Sequence, residues 1–261
     1  MIKLFRKIRQ DLVINNKTGT YLKYAISEVI LVVIGILIAL GINNWNEQRK
    51  DRIKEQIILK QLKEDYLVNL SQLKEKIATR KIIINSGLEV LAAIDVPVGV
   101  NRDSLINHIS LIGNDPTFDP IENDPISSGN LRLISNDRLR RILSNWSSDI
   151  MALTEIEVVW SKKVSDQLET LLYKMGIARD VINSWMSADH LWLLDHDSNI
   201  DRAQIGNSKH KIPVNEIVDN IEFEGLVADA ISYNTGANAQ SDAIVDRINE
   251  ILSLIDNEIK D

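Results

Sequence analysis

The hydrophobic positions of this chain fall into two patterns, one continuous and one periodic. Residues Tyr24 to Ile42, YAISEVILVVIGILIALGI, form a 19-residue apolar run broken by a single charge, Glu28. As a helix the run measures about 28 Å, close to the roughly 30 Å hydrocarbon core of a bilayer. Tyr21 and Tyr24 at one end and Trp45 at the other are amphipathic aromatics of the kind that anchor at the two headgroup layers. The pattern predicts one transmembrane helix over residues 21–45. A cleaved signal peptide is the competing reading, because Val29 to Leu40 suits an apolar h-region and Ala39-Leu40-Gly41 has small residues at cleavage-like spacing. The long segment before the run, and the helical pattern that continues past it, favour an uncleaved anchor.

Beyond the run the pattern becomes periodic. No Gly or Pro occurs from Ile42 to Ser86, and Leu59, Leu62, Tyr66, Leu70, Leu73, Ile77, Ile84, Leu88 and Leu91 follow steps of three, four or seven. They make one amphipathic face on a helix of about 45 to 50 residues, which Pro97 and Gly99 end. Such a stripe must be buried, either in a coiled coil with another chain or against later helices of its own. Leu139, Leu143, Trp146, Ile150, Leu153, Trp160, Val164, Leu168, Leu171 and Met175 form a second stripe, opened by the capping residues Ser135-Asn136-Asp137. It is expected as the antiparallel mate of the first. A third stretch, Val214 to Ile259, carries Ile217, Ile221, Leu226, Ile231, Ile244, Ile248, Ile251 and Ile255, with a kink or interruption expected at Gly236 between Asn234 and Asn238. A short helix is expected from Ser104 to Ile112, with Leu105, Ile109 and Ile112 on one side, and Asn130 to Ser135 is the one stretch that reads as extended. The resulting fold class is all-α: a single N-terminal transmembrane helix continues into a long helix that packs in an antiparallel bundle of three to four helices. The bundle domain occupies residues 46–261, with irregular segments near 95–135 and 180–215.

Ahead of the run, residues 1–18 read as a basic amphipathic helix lying in the membrane interface. Phe5, Ile8 and Leu12 share a face, Arg6, Lys7, Arg9 and Gln10 lie elsewhere, and Asn15 to Gly19 make a turn. The alternative is a charged leader that only orients insertion. Residues 1–45 hold six basic and two acidic residues, a net of +4; the rest holds 24 and 35, a net of −11, and the two sum to −7. So acidic a domain is a poor fit to nucleic acid, whose binding is dominated by phosphate. The basic leader places the N-terminus in the cytoplasm and the C-terminal domain outside, although Arg49, Lys50, Arg52 and Lys54 pull the other way. With no cysteine, disulfides, thiolate metal sites and thiol nucleophiles are excluded.

Within the run, Ser27, Gly35 and Ala39 share a face with Leu31, and small residues let helix backbones approach closely. Together with Glu28 they mark a candidate contact with a membrane protein partner or a second copy. Chance occurrence of small residues, and a Glu28 that snorkels to the nearby headgroups, are the plainer readings.

Two clusters invite chemistry. Asp115, Asp119, Glu122 and Asp124, interleaved with Pro116, Pro120 and Pro125, lack the order of a calcium loop and read as turn and helix-start signals. His190, Asp195, His196 and Asp197 lack metalloprotease spacing, and a solvated loop anchored by Trp192 is preferred; His108 and His210 stand alone. No nucleophile elbow, phosphate-binding loop or dinucleotide fingerprint is present, so no cofactor, metal or catalytic residue is assigned and no enzyme is expected.

The leader IKLFRKIRQ, the segment YLKYAISEVILVVIGILIALGINNWNEQRK and, further on, SSGNLRLISNDRLRRILSNW resemble a family of uncharacterised single-span membrane proteins of Bacteroidetes, a domain of unknown function (DUF6090). The resemblance is strongest over residues 1–75 and 127–146. It implies a membrane location and a bacterial source, and supplies no activity or ligand; with the orientation read from charge, the chain is expected in a bacterial inner membrane with its C-terminal domain periplasmic. The residues before the run are too few for an output domain, which directs the reading to a membrane-anchored scaffold or accessory subunit acting by protein contacts. The alternative is a ligand-binding, sensor-like bundle that signals through a membrane partner.

Overall fold

A computed structural model of the chain describes residues 18–121, 129–187 and 205–259, the side chains of residues 18–21 and 24 excepted. Its helices are α1 (Thr18–Asp95), α2 (Arg102–Ile112), α3 (Asp137–Lys163), α4 (Glu169–Lys174), α5 (Ala178–Ser187), α6 (Val214–Val218) and α7 (Ile221–Glu258). A 3-10 turn spans Asn130–Leu133, and a π-helical turn, Val164–Leu168, joins α3 to α4. The fold is all-helical, with no strand among the described residues. The extended stretch expected over Asn130 to Ser135 is instead this 3-10 turn, entered through Gly129 at φ 68°. No neighbouring strand offers its backbone partners there, so the segment closes its own hydrogen bonds.

The chain forms two compact units, Met1–Ile58 and Leu59–Asp261. The interfacial helix expected before residue 18 lies outside the described residues. In the first unit, α1 carries the apolar run, and none of the described residues covers it: Leu31 is 71% exposed and Leu37 62%. Among the described residues this is the one helix long and apolar enough to cross a membrane.

The second unit is a bundle of the rest of α1 with α3 and α7. Pairs along α1 and α7 run in opposite order: Lys63 bridges Asp256, Arg80 meets Ser241, and the α-carbon of Gly87 faces Ile231. Pairs along α1 and α3 run in the same order, Tyr66 against Trp146 and Arg80 against Glu157. The antiparallel mate of α1 is therefore α7, and the second long stripe is its parallel neighbour. That order obliges the connection between α1 and α3 to travel back along the bundle. Residues 114–121 make part of this return, running past Trp160, Arg80 and Glu157 to Asn69.

The second stripe is buried as expected, from Leu139 to Leu171, with Met175 half-buried. On α1 the expected stripe holds as far as Ile77 except at half-buried Leu70, and then slips by one residue. Ile83 and Val90 are fully buried, whereas Ile84 and Leu91 are half-buried and Leu88 is exposed. The buried positions Leu59, Tyr66, Leu73, Arg80 and Gly87 recur every seven residues. A seam of that period advances more slowly than the 3.6-residue period of a straight helix, so extrapolation from the first turns overshoots.

The caps follow sequence chemistry: Asn101, Asn136 and Asn220 each accept hydrogen bonds from backbone N–H groups in the first turn of α2, α3 and α7. Gly176, at φ 75°, ends α4 in a left-handed turn that Ile177 N–H closes onto Leu172 O. The third stretch breaks at Asp219-Asn220, which places Ile221 in the first turn, 87% exposed. Gly236, where an interruption was expected, sits inside an unbroken α7.

Gly87 lies where two helices approach closely, and a methyl group there would come within 2.7 Å of Ile231 Cγ1. Alanine gains about 1 kcal/mol of helix propensity over glycine, and overpacking costs about 1–3 kcal/mol. We therefore expect Gly87→Ala to lower stability by about 1 kcal/mol in chemical denaturation, although alanine is the better helix former.

Candidate functional site

Two polar clusters and one cleft in the bundle are built by residues far apart in sequence. The first cluster is the ion pair between Arg80 on α1 and Glu157 on α3, whose side chains are 1% and 2% exposed. Buried charges are tolerated only when fully paired and hydrogen-bonded. Arg80 donates to Glu157 Oε1, to Ser241 Oγ at 2.8 Å, to Asn238 Oδ1 at 3.5 Å and to the Pro116 carbonyl at 3.4 Å. Glu157 also accepts the Phe118 N–H, at 3.1 Å and 3.2 Å. Burial pushes the Glu157 carboxyl up from its ordinary range and the Arg80 guanidinium down, and in each case the attraction of the partner opposes it.

The socket for Arg80 explains the small residues of α7. Ala237 and Ser241 are buried opposite it, leaving the volume that a guanidinium needs, and Ser241 and Asn238 supply acceptors. The same neighbours secure the return segment. Asn69, 2% exposed, accepts the Ile121 N–H at 2.7 Å and donates to its carbonyl at 3.4 Å. Trp160 Nε1 donates to the Asn114 carbonyl at 2.9 Å. An extended segment on a helical core has no ladder to satisfy its backbone, so side chains take that role.

The second cluster centres on Asp180 of α5, 3% exposed. It pairs with Arg102 at 2.6 Å and accepts the Ser208 N–H at 2.6 Å, while Arg102 Nε donates to the Ile212 carbonyl at 2.8 Å. Burial would raise the Asp180 carboxyl, but the Ser208 N–H and Arg102 together hold it below the usual carboxylate range. These bonds fasten residues 205–212 to α2 and α5.

The cleft has a volume of 370 Å³ and lies beside the π-turn. Val164, Leu168 and Leu172 make its apolar floor, Tyr173 and Trp185 add aromatic rings, and Asp115 and Glu169 bring carboxylates. In the π-turn the Glu169 N–H reaches back to the Val164 carbonyl, and Ser165 Oγ donates to the Lys162 carbonyl at 3.2 Å. Inserted turns of this kind are frequent at functional sites. Ser161 Oγ donates to Asp115 at 2.7 Å, and Trp185 Nε1 donates to Asn114 Oδ1 at 3.0 Å, so the rim is positioned by hydrogen bonds.

The sequence-derived candidates fall elsewhere. Ser27, Gly35, Ala39 and Trp45 are exposed on α1 and Glu28 is half-buried; the side chains of Tyr21 and Tyr24 lie outside the described residues. So do Glu122, Asp124 and Pro125, together with His190, Trp192, Asp195, His196 and Asp197. Asp115 and Asp119 are exposed in the return segment, where no helix starts among the described residues. His210 is exposed, and His108 Nδ1 lies 3.5 Å from Ser86 Oγ. Among the described residues no three His, Asp or Glu side chains form a group able to hold a metal ion. Arg80, Glu157 and Asn69 were missed, although a signal existed: the stripes step by seven from Ile77 to Ile84 and from Leu153 to Trp160, and Arg80 and Glu157 sit in those gaps.

A family model described as a family of unknown function (DUF6090) matches residues 28–94. The matched stretch lies entirely within α1, from Glu28 to one residue before its end, and includes Asn69 and Arg80. The leader and residues 127–146 fall outside it. No curated protein and no solved structure matches the chain.

Two outcomes follow from the clusters. Arg80→Met or Glu157→Gln alone strands a buried partner and should cost about 3–5 kcal/mol in denaturant titration. The double variant removes both charges yet keeps an acceptor for Phe118, so it should be more stable than Arg80→Met alone. Asp180→Asn should cost about 2 kcal/mol near neutral pH. Because the folded carboxyl titrates below its ordinary value of 3.8, this difference is fully present above that pH and shrinks as acid protonates the folded carboxylate.

Proposed function

We propose that the protein is a single-span membrane protein whose α1 anchors a helical bundle that acts by protein contacts, as a scaffold or accessory subunit. The observation that carries this reading is the uncovered apolar run. From Ile26 to Ile42 every large apolar side chain stays about half exposed or more, a state that water penalises and lipid accommodates. The apolar window of the run is also unburied, unlike that of a core helix in a water-soluble domain, and residues 1–23, with six basic residues and one acidic, carry a net +5 that favours a cytoplasmic N-terminus and an external bundle. The face of Ser27, Gly35 and Ala39, beside Glu28, is where a partner span or a second copy docks in this reading: among the described residues nothing lies within 4 Å of a methyl group placed on Gly35. A second reading, ligand sensing by the bundle, is favoured by the cleft beside the π-turn.

In a Gram-negative host, the full chain is expected to remain in the membrane fraction after alkaline carbonate washing. Protease added to spheroplasts should cut residues 59–261. A carbonate-soluble chain would reject the anchor, and a protected bundle would reverse the orientation. In-membrane crosslinking should yield a complex that Gly35→Leu diminishes several-fold, and a lone monomer in both proteins would reject the contact.

A further inference from the structure

The cleft beside the π-turn combines three independent sources of negative potential with an apolar floor. Asp115 and Glu169 are the charged residues of its lining, and neither lysine nor arginine contributes. Ile109, Ser110 and Gly113 bring the C-terminal end of α2 to the wall, and the last turn of that helix carries no basic residue. A helix C-terminus presents partial negative charge, which favours a cation nearby. The rings of Tyr173 and Trp185 add π-faces that attract ammonium groups.

The floor, by contrast, is hydrocarbon, and the volume of 370 Å³ falls in the range of small-molecule sites. Asp115 is held by the Ser161 hydroxyl at 2.7 Å and Trp185 by Asn114 at 3.0 Å, so both groups are in place before any ligand arrives. Such positioning lowers the ordering cost of binding. A phosphorylated compound does not suit this lining, since its charge needs cations and the lining holds no lysine or arginine.

We infer that the cleft is a binding site for a small amphipathic amine, its apolar body on Val164, Leu168 and Leu172 and its ammonium group against Asp115, Glu169 and the aromatic rings. This inference deepens the ligand-sensing reading and is independent of how the chain sits in a membrane. The same return segment that places Asp115 at the rim carries the Pro116 carbonyl bound by Arg80, so an occupied cleft bears on a segment locked into the core.

The test uses the full chain in nanodiscs of phosphatidylcholine, titrated calorimetrically with phenethylamine and with its neutral counterpart 2-phenylethanol. Phenethylamine is expected to bind saturably and at least about tenfold more tightly, the difference expected of one charge-assisted hydrogen bond. Ser165→Phe, an exposed cleft position, should abolish binding while leaving the circular dichroism melt in place. Asp115→Asn with Glu169→Gln should weaken the amine by about tenfold and leave the alcohol unchanged. Saturable binding of both probes with equal affinity would overturn the cationic specificity while keeping a ligand site. Binding of neither, or binding that survives Ser165→Phe, would overturn the site itself; the wild-type comparison of the two probes decides the charge question even if a variant misfolds.

Discussion

The buried pair of Arg80 and Glu157 is the constraint around which the bundle is arranged. Taking two charges out of water is costly, and their attraction offsets that cost only when the remaining hydrogen-bonding capacity is filled. Here the remaining bonds lead to two further elements. Ser241 and Asn238 belong to α7, and Pro116 and Phe118 to the return segment, so one guanidinium and one carboxylate specify how three long helices and a connection meet. A one-residue slip of any of these elements would strand a charge, which makes the pair a source of register more than of stability. Apolar contacts alone tolerate such slips far better.

The same pair accounts for the topology. With α1 and α3 parallel, the chain must return along the bundle before α3 begins, and an extended return on a helical core carries backbone groups that no ladder satisfies. Glu157, Arg80, Asn69 and Trp160 supply those partners from the helices beneath. The aspartate and proline content of the segment then has a physical reason: proline lacks an N–H that would need a partner, and Asp115 and Asp119 stay in solvent. Because residues 114 to 116 serve both the polar seam and the wall of the cleft, the two features share one piece of backbone.

The apolar run poses the opposite problem. The bundle buries its apolar stripes internally, whereas residues 26–42 present apolar side chains that no described residue covers. The family match that begins at Glu28 takes in nearly all of this exposed run and the buried seam of α1 alike. A single helix thus carries both an exposed apolar surface and a buried one.

What the sequence by itself determined is everything that depends on local rules. The apolar run, the long helices, the cap at Asn136 and the stripe from Leu139 to Leu171 follow from periodicity and backbone chemistry within a few residues. What only the tertiary structure decided is which helices run parallel, why Gly236 lies inside a helix, and where the α1 seam goes after Ile77. The first and the last meet at Arg80, a residue that local patterning assigns to solvent and that becomes core because Glu157, 77 residues later, and Ser241, 161 residues later, meet it. The cleft is of the same kind: its floor was legible as apolar helix, but its walls join α2, the π-turn and α5. A pairing over such distances leaves only two seven-residue gaps in the stripes as its trace, since a buried charge is recognised by its partners and not by its neighbours in sequence.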